Sequence, residues 1–431
     1  MTLEFALCLI SLFVLAGIGM PIAYAILLSS FTYLAVGGQD IGIIGKIFMD
    51  GLYNSFVLLA VPLFIVAANI MNAGSISDRL LKFCGALVGR LRGGLGHVNI
   101  VASLIFSGMS GSAVADAAGI GKIIIEMMTR SGRYPPGYAA AITAASATIG
   151  PIIPPSIPMV LYALVSNASI GYLFLGGIIP GLFMGLVLMV MNGWIAHRRD
   201  FPLEEAVPLR ELPKHTITAF PALLMPAILL YGIYGGVATP TEAAAIAAAY
   251  ALVLAALLYR VLKVSTLYRI LVESARSSAA VGVVIGGALI LNYIVASENI
   301  PDRVAHVLVG LEIHPLAFLI GVNIIILLLG CVLDASTLIL VIIPLFLPTC
   351  RDLGIDLVHF GVVAVVNCMI GLITPPYGIL LFVLNAITRI PLAAIIREIW
   401  LFLVVLIFAL LILILFPGVT LWLPRLFGYA G

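Results

Sequence analysis

Asp334 is an acid set in a long apolar run, residues 315–349, and a carboxylate in such a setting points to function by default. Ser336 and Thr337 follow it, and Asn367 and Thr374 stand further along the same half. The first half carries a comparable set: Ser107, Ser110, Ser112, Asp116, Thr148 and Ser156. These are hard oxygen donors, and oxygen donors are what Na⁺ and other hard cations take as ligands. A capping reading stands beside the ionic one for Asp334 and Asp116, because a carboxylate also closes a helix N-terminus well. The serines can equally serve close helix packing. Glu242, after Thr239-Pro240-Thr241, reads as an ordinary helix start. No nucleophile triad, phosphate loop or nucleotide motif is legible. The five cysteines and six histidines fall at no metal-ligand spacing, and the cysteines read as small core residues.

The elements that position these donors are marked by two matched interruptions. Residues 146–156 read Ser-Ala-Thr-Ile-Gly-Pro-Ile-Ile-Pro-Pro-Ser, and residues 367–377 read Asn-Cys-Met-Ile-Gly-Leu-Ile-Thr-Pro-Pro-Tyr. Gly150, Pro154 and Pro155 thus recur as Gly371, Pro375 and Pro376. A proline pair lacks two amide donors, so neither stretch continues as a helix. In hydrocarbon such a break survives only where protein or a wet cavity receives the freed backbone groups. Matched breaks in two halves are the best sequence pointer to a transporter's binding site. Half-helix C-termini and unwound carbonyls suit the cation, and half-helix N-termini suit an anionic solute.

The class follows from composition. The chain is 63% hydrophobic and 9% charged, with mean hydropathy +1.24, so it is a polytopic membrane protein in a lipid bilayer. Its net charge of +2 is scattered over short loops and gives no nucleic-acid surface. The N-terminus lacks a basic leader and a cleavage site and reads as a retained helix. About twenty residues cross the hydrocarbon core. Spans are expected near 3–37, 54–73, 134–166, 170–196, 216–235, 241–262, 277–297, 357–388 and 391–424, with the run 3–37 permitting one crossing or two. Residues 97–130 and 315–349 are interrupted by small and polar tips, and each arm is short. Both read as re-entrant helical hairpins.

The expected architecture is therefore all-α with inverted repeats. Residues 1–73 form scaffold helices. Residues 74–200 hold an amphipathic arm (75–96), the first hairpin (97–130), a broken helix (134–166) and a closing helix. Residues 201–297 supply a loop and further scaffold. Residues 298–431 repeat the order with an arm (297–314), the second hairpin (315–349), a second broken helix (357–388) and a closing helix. Arg79 to Arg92, Arg130, Arg133, the run from His197 to Lys214 and Arg260 to Arg276 fall on one side, which the positive-inside rule makes cytoplasmic. The first hairpin then enters from the cytoplasm and the second from outside. On this geometry one Na⁺ site uses Asp334, with Ser336 or Thr337, and carbonyls from Gly371 to Thr374. Its mirror uses Ser110, Ser112, Thr148, Gly150 and Pro151. The solute cavity draws on Ser107, Asp116, Pro154, Pro155, Ser156, Asn367, Pro375 and Pro376.

Residues 110–118 (Ser-Gly-Ser-Ala-Val-Ala-Asp-Ala-Ala), 150–156, 238–245 (Ala-Thr-Pro-Thr-Glu-Ala-Ala-Ala) and 374–378 (Thr-Pro-Pro-Tyr-Gly) carry a resemblance. Together, and in this order, they resemble the large membrane subunit of tripartite ATP-independent periplasmic (TRAP) transporters along essentially the whole chain. The resemblance implies a Na⁺-driven importer in the bacterial inner membrane, with no other cofactor. It implies a separate small four-helix membrane subunit, a periplasmic substrate-binding protein, and an organic acid such as a C4-dicarboxylate or sialic acid as solute. It also implies an elevator fold similar to the divalent-anion/Na⁺ symporters. A standalone symporter of that kind is the near alternative. A channel fits poorly because no charged ring is evident, and a membrane enzyme fits least.

Overall fold

A computed structural model describes residues 2–53, 55–72, 75–130, 132–201, 203, 209–300, 303 and 314–431. Among them the regular structure is helical, apart from one isolated bridge between Arg92 and Leu203. Six helices are long and apolar enough to cross a membrane: Ile170–Arg198, Leu212–Tyr234, Pro240–Leu258, Val264–Ser297, Ala335–Asp352 and Leu392–Leu415.

The N-terminal apolar run divides into Leu3–Gly17 and Ile22–Val36, which pack on each other. Gly19 at φ +91° and Pro21 make the turn, since one tolerates left-handed backbone and the other cannot donate to a helix. Ala60–Met71 then packs on Pro240–Val253, whose buried Ala243, Ala244, Ala247 and Ala251 let the two backbones approach. The Val264–Ser297 helix begins well before the apolar span expected from residue 277. The stretch with Arg269, Glu273 and Arg276 contains no glycine or proline to stop it. Beyond its end, the Thr2 and Tyr33 hydroxyls donate to Glu298 at 2.5 and 3.0 Å and hold its carboxyl below the ordinary glutamate range.

The first arm is the Ser75–Val88 helix, with Ile76, Leu80 and Cys84 buried along one face and Asp78 and Lys82 exposed on the other. The second arm falls on residues 297–314, most of which lie outside the described residues.

Each half then presents a helix, a short tip and a returning helix that starts irregularly. In the first, Gly94–Ser110 leads to Gly111 in left-handed conformation and Ser112. The chain returns through Ala113–Asp116, a π turn at Ala117–Gly121 and Lys122–Arg130. In the second, Pro315–Gly330 leads through Cys331, Val332, Leu333 and Asp334. The return comprises Ala335–Thr337, a π turn at Leu338–Ile342, a 3₁₀ turn at Ile343–Phe346 and Leu347–Asp352. The return 335–352 has the length and composition to cross a membrane, longer than the short arm expected there.

The proline pairs break the next helix of each half. Pro136–Ala147 resumes as Ile157–Ser166, and Leu357–Gly371 resumes as Ile379–Thr388. Both Pro-Pro bonds, Pro154–Pro155 and Pro375–Pro376, are cis. The resumed helices end on Asn167 and Arg389, both left-handed. Ile170–Arg198 and Leu392–Leu415 pack on each other and close the halves. The Arg199–Glu398 ion pair (2.8 Å) ties their ends. All five cysteines are buried and free, as core residues should be.

Candidate functional site

Asp334 is an N-cap. Its Oδ2 accepts from the backbone of Ser336 (2.9 Å) and Thr337 (3.2 Å), and its Oδ1 accepts from the Thr337 hydroxyl (2.5 Å). It also lines the cavity described below. Ser112 holds the corresponding place in the first half and accepts from Ala115 N at 3.3 Å.

Asp116 is 2% exposed and belongs with the first tip. The Ser110 hydroxyl donates to its Oδ1, while Oδ2 has no hydrogen-bond partner. A Cβ on Gly150 would fall 2.3 Å from that oxygen, so the absent side chain is what admits the carboxylate to the first break. A buried, unpartnered carboxylate oxygen beside a serine and unwound backbone has the donor chemistry a hard cation needs.

Several other candidate hydroxyls have committed their hydrogen. Ser107 donates to Leu104 O (2.5 Å), Thr148 to Ala145 O (2.6 Å) and Thr374 to Ile370 O (2.7 Å). Each such oxygen keeps only lone pairs to offer. Ser156 donates to Pro151 O and accepts from Met159 N (3.2 Å), which caps the resumed helix and satisfies a carbonyl freed by the break.

Each tip faces the break of its own half. A Cβ on Gly111 would lie 2.4 Å from Pro155 O. In the second half Gly378 N donates to Cys331 O at 3.2 Å, and Gly330 and Gly371 meet backbone to backbone. The two halves then converge on one cavity of about 300 Å³. Ser110, Gly111, Ser112, Pro151 and Pro158 line it from the first half, and Asp334, Ser336, Met369 and Leu372 from the second. Ile65, Asn69, Ser277 and Val281 close the remaining wall. Asp334 is the one charged residue of the lining.

Of the residues expected at the ion sites, Ser110, Ser112, Pro151, Asp334 and Ser336 line this cavity. Thr148, Gly150, Thr337, Gly371 and Thr374 are not in its lining. None of the residues expected for the solute lines it: Ser107, Asp116, Pro154, Pro155, Ser156 and Asn367 are buried outside its lining, and Pro375 and Pro376 lie further along the second break. Asn69 and Ser277 were not anticipated. Asn69, an amide in an apolar helix that donates to Ser274 Oγ at 2.8 Å, is the signal that could have found that wall. A larger cavity of about 590 Å³, beside Ser169, Tyr172 and Tyr234, carries no carboxylate and none of the paired motif residues. Among the described residues no cluster of His, Cys, Asp and Glu could hold a transition metal.

A polytopic all-helical chain whose paired breaks and tips enclose one central cavity is built as a membrane transporter. The fold agrees with the crystal structure of the Alcanivorax borkumensis YdaH transporter at TM-score 0.64, over 96% of this chain and 98% of that one, at 16% identity. Residues 9–419 match the family described as "Tripartite ATP-independent periplasmic transporter, DctM component", and the chain belongs to that family. It is 40% identical over 413 residues to a sialic acid TRAP transporter large permease protein of Vibrio cholerae, covering 95% of this chain and 96% of that one. It is 40% identical over 373 residues to a C4-dicarboxylate TRAP transporter large permease protein of Pseudomonas aeruginosa (86% and 87% covered). It is 36% identical over 402 residues to a 2,3-diketo-L-gulonate TRAP transporter large permease protein of Escherichia coli (93% and 94% covered). These relatives are named as transporter permeases and not as enzymes.

Proposed function

We propose that this chain is the large permease of a Na⁺-coupled importer in the bacterial inner membrane. It moves a small organic acid received from a periplasmic binding protein, together with a small membrane subunit. The observation that carries the reading is the central cavity, with one carboxylate, serine-bearing tips from both halves and no basic residue in its lining. An anionic solute entering such a lining needs a cation to offset Asp334, and the tips and breaks offer oxygens for Na⁺. Purified permease, reconstituted with a cognate small subunit and binding protein, tests this directly. Sialic acid, succinate and 2,3-diketogulonate are the probe solutes. Uptake of one of them should follow an imposed inward Na⁺ gradient and collapse in K⁺. Uptake indifferent to Na⁺ sinks the coupling, and uptake without the binding protein makes the chain a standalone symporter.

The same reading assigns a mechanism. The two tip-bearing elements are re-entrant hairpins from opposite faces, related as inverted repeats. They move with the broken helices as an elevator past residues 1–73 and 201–297. Asn292 in the Val264–Ser297 helix donates to Leu340 O at 3.0 Å across the boundary between the two sets. A disulfide between Asn292→Cys and Leu340→Cys should therefore stop uptake, with reductant restoring it. Uptake at the full rate in the oxidised protein would rule the elevator out.

A further inference from the structure

Two polar pairs occupy the same place in the two halves. Ser146 lies about one helical turn before Gly150, and Asn367 about one turn before Gly371. Their partners, Ser103 and Asn323, each lie about two turns before the last residue of the helix leading to a tip, Ser110 and Gly330. Ser103 Oγ donates to Ser146 Oγ at 3.0 Å. Asn367 Nδ2 donates to Asn323 O at 2.6 Å and to Asn323 Oδ1 at 2.8 Å. All four side chains are buried. The residue types differ between halves and the placement does not. Neither pair is in the lining of the central cavity.

We infer that these pairs are positioning residues that fix each tip-bearing helix in axial register on its own broken helix. The inference rests on the Na⁺ reading above. In an apolar interior a buried amide or hydroxyl is costly unless partnered, so each pair penalises any slide that separates it. A slide is what an ion site of this kind cannot tolerate. In the first half Ser110 and Asp116 come from the tip, while the backbone at Gly150 comes from the broken helix. Donors carried on two different helices hold a cation only while those helices keep register. Asn99 and Thr143 strengthen the first interlock: Asn99 Nδ2 donates to Thr143 Oγ1 (2.6 Å), and Ser146 Oγ also reaches Asn99 Oδ1 (3.2 Å). The second interlock has two bonds and no such reinforcement among the bonds described, so it is the more sensitive one to test.

The experiment measures half-saturating Na⁺, maximal uptake rate and thermal midpoint in the reconstituted complex. Asn367→Ala should raise half-saturating Na⁺ roughly threefold to tenfold, the span expected for interhelical bonds in a membrane. Asn323→Ala should raise it less, because the Asn367 amide still reaches the Asn323 carbonyl. The double variant should be no worse than Asn367→Ala, since both changes remove one interaction. Ser146→Ala removes a single oxygen, keeps the fold if an asparagine variant does not, and should shift Na⁺ dependence in the same direction. If these variants lower the thermal midpoint and leave half-saturating Na⁺ at the wild-type value, the pairs are plain helix glue and the inference is overturned. Independent, multiplicative shifts in the double variant overturn it as well. Wild-type uptake without Na⁺ dependence removes both this inference and the coupling beneath it, and the wild-type protein alone reports that.

Discussion

Asp334→Asn should fold, insert and assemble normally, yet require at least about tenfold more Na⁺ for half-maximal uptake, a loss of roughly 1.4 kcal/mol in cation binding. The cap explains the first half of that result. The bonds from Ser336 N and Thr337 N go to Oδ2, and an asparagine carbonyl oxygen can take them over because asparagine caps about as well as aspartate. The Thr337 hydroxyl, now a donor to Oδ1, can instead accept from the new amide. Cation binding explains the second half. The exchange removes the only charge in the cavity lining while keeping its shape. A cation ligand loses its charge complement, whereas a pure cap loses nothing. Unchanged Na⁺ dependence in purified Asp334→Asn, at an unchanged thermal midpoint, would leave Asp334 as a cap alone.

The legible parts of this molecule are those where one residue type forbids an alternative. Pro154, Pro155, Pro375 and Pro376 cannot continue a helix, so the interruptions between Ala147 and Ile157 and between Gly371 and Ile379 fall where the sequence places them. The tips lie within the small and polar interruptions at residues 106–113 and 330–337, which are legible because an apolar helix does not otherwise carry such residues. Asp334 is legible because a carboxylate in hydrocarbon must have a use. The cavity wall is another matter. In hydrocarbon a serine or threonine can settle on a carbonyl of its own helix, as Ser107, Thr148 and Thr374 do, or it can face a cavity, as Ser112 and Ser336 do. The sequence is the same in both cases, and only the direction of the side chain differs. Asp116, expected among the solute residues, turns toward Ser110 and Gly150. Asn69 and Ser277 escaped because neither interrupts a helix, and a serine near alanines reads as packing. The early start of the Val264–Ser297 helix was hidden by its charges, which mark contact with water as readily on a helix as on a loop.

Three glycine-to-alanine changes should give three different outcomes, and Gly371→Ala should be the most damaging. Its new Cβ would lie 2.8 Å from the Gly330 Cα, 2.9 Å from the Gly330 carbonyl carbon and 3.0 Å from its oxygen. All three are backbone atoms, and none can rotate away, so the tip-bearing helix must lift from the broken helix. The adjoining Gly378 N to Cys331 O bond then opens with it. Overpacking of this kind costs about 1–3 kcal/mol, which should appear as a lower thermal midpoint together with a loss of uptake of tenfold or more. Gly150→Ala meets chiefly a side-chain oxygen, Asp116 Oδ2 at 2.3 Å, with the nearest backbone atom, Ala147 O, at 3.2 Å. A carboxylate can swing aside, so the fold should survive while half-saturating Na⁺ rises, because the oxygen leaves the first break. Gly321→Ala, in the Pro315–Gly330 helix, meets nothing within 4 Å and should transport as wild type with equal or slightly higher stability, alanine being the better helix former. Uptake curves at varied Na⁺ and thermal midpoints for the three proteins separate backbone contact from ion binding. Wild-type stability in Gly371→Ala would mean that the second tip does not rest on its broken helix, and a wild-type Na⁺ response in Gly150→Ala would take Asp116 out of the ion site.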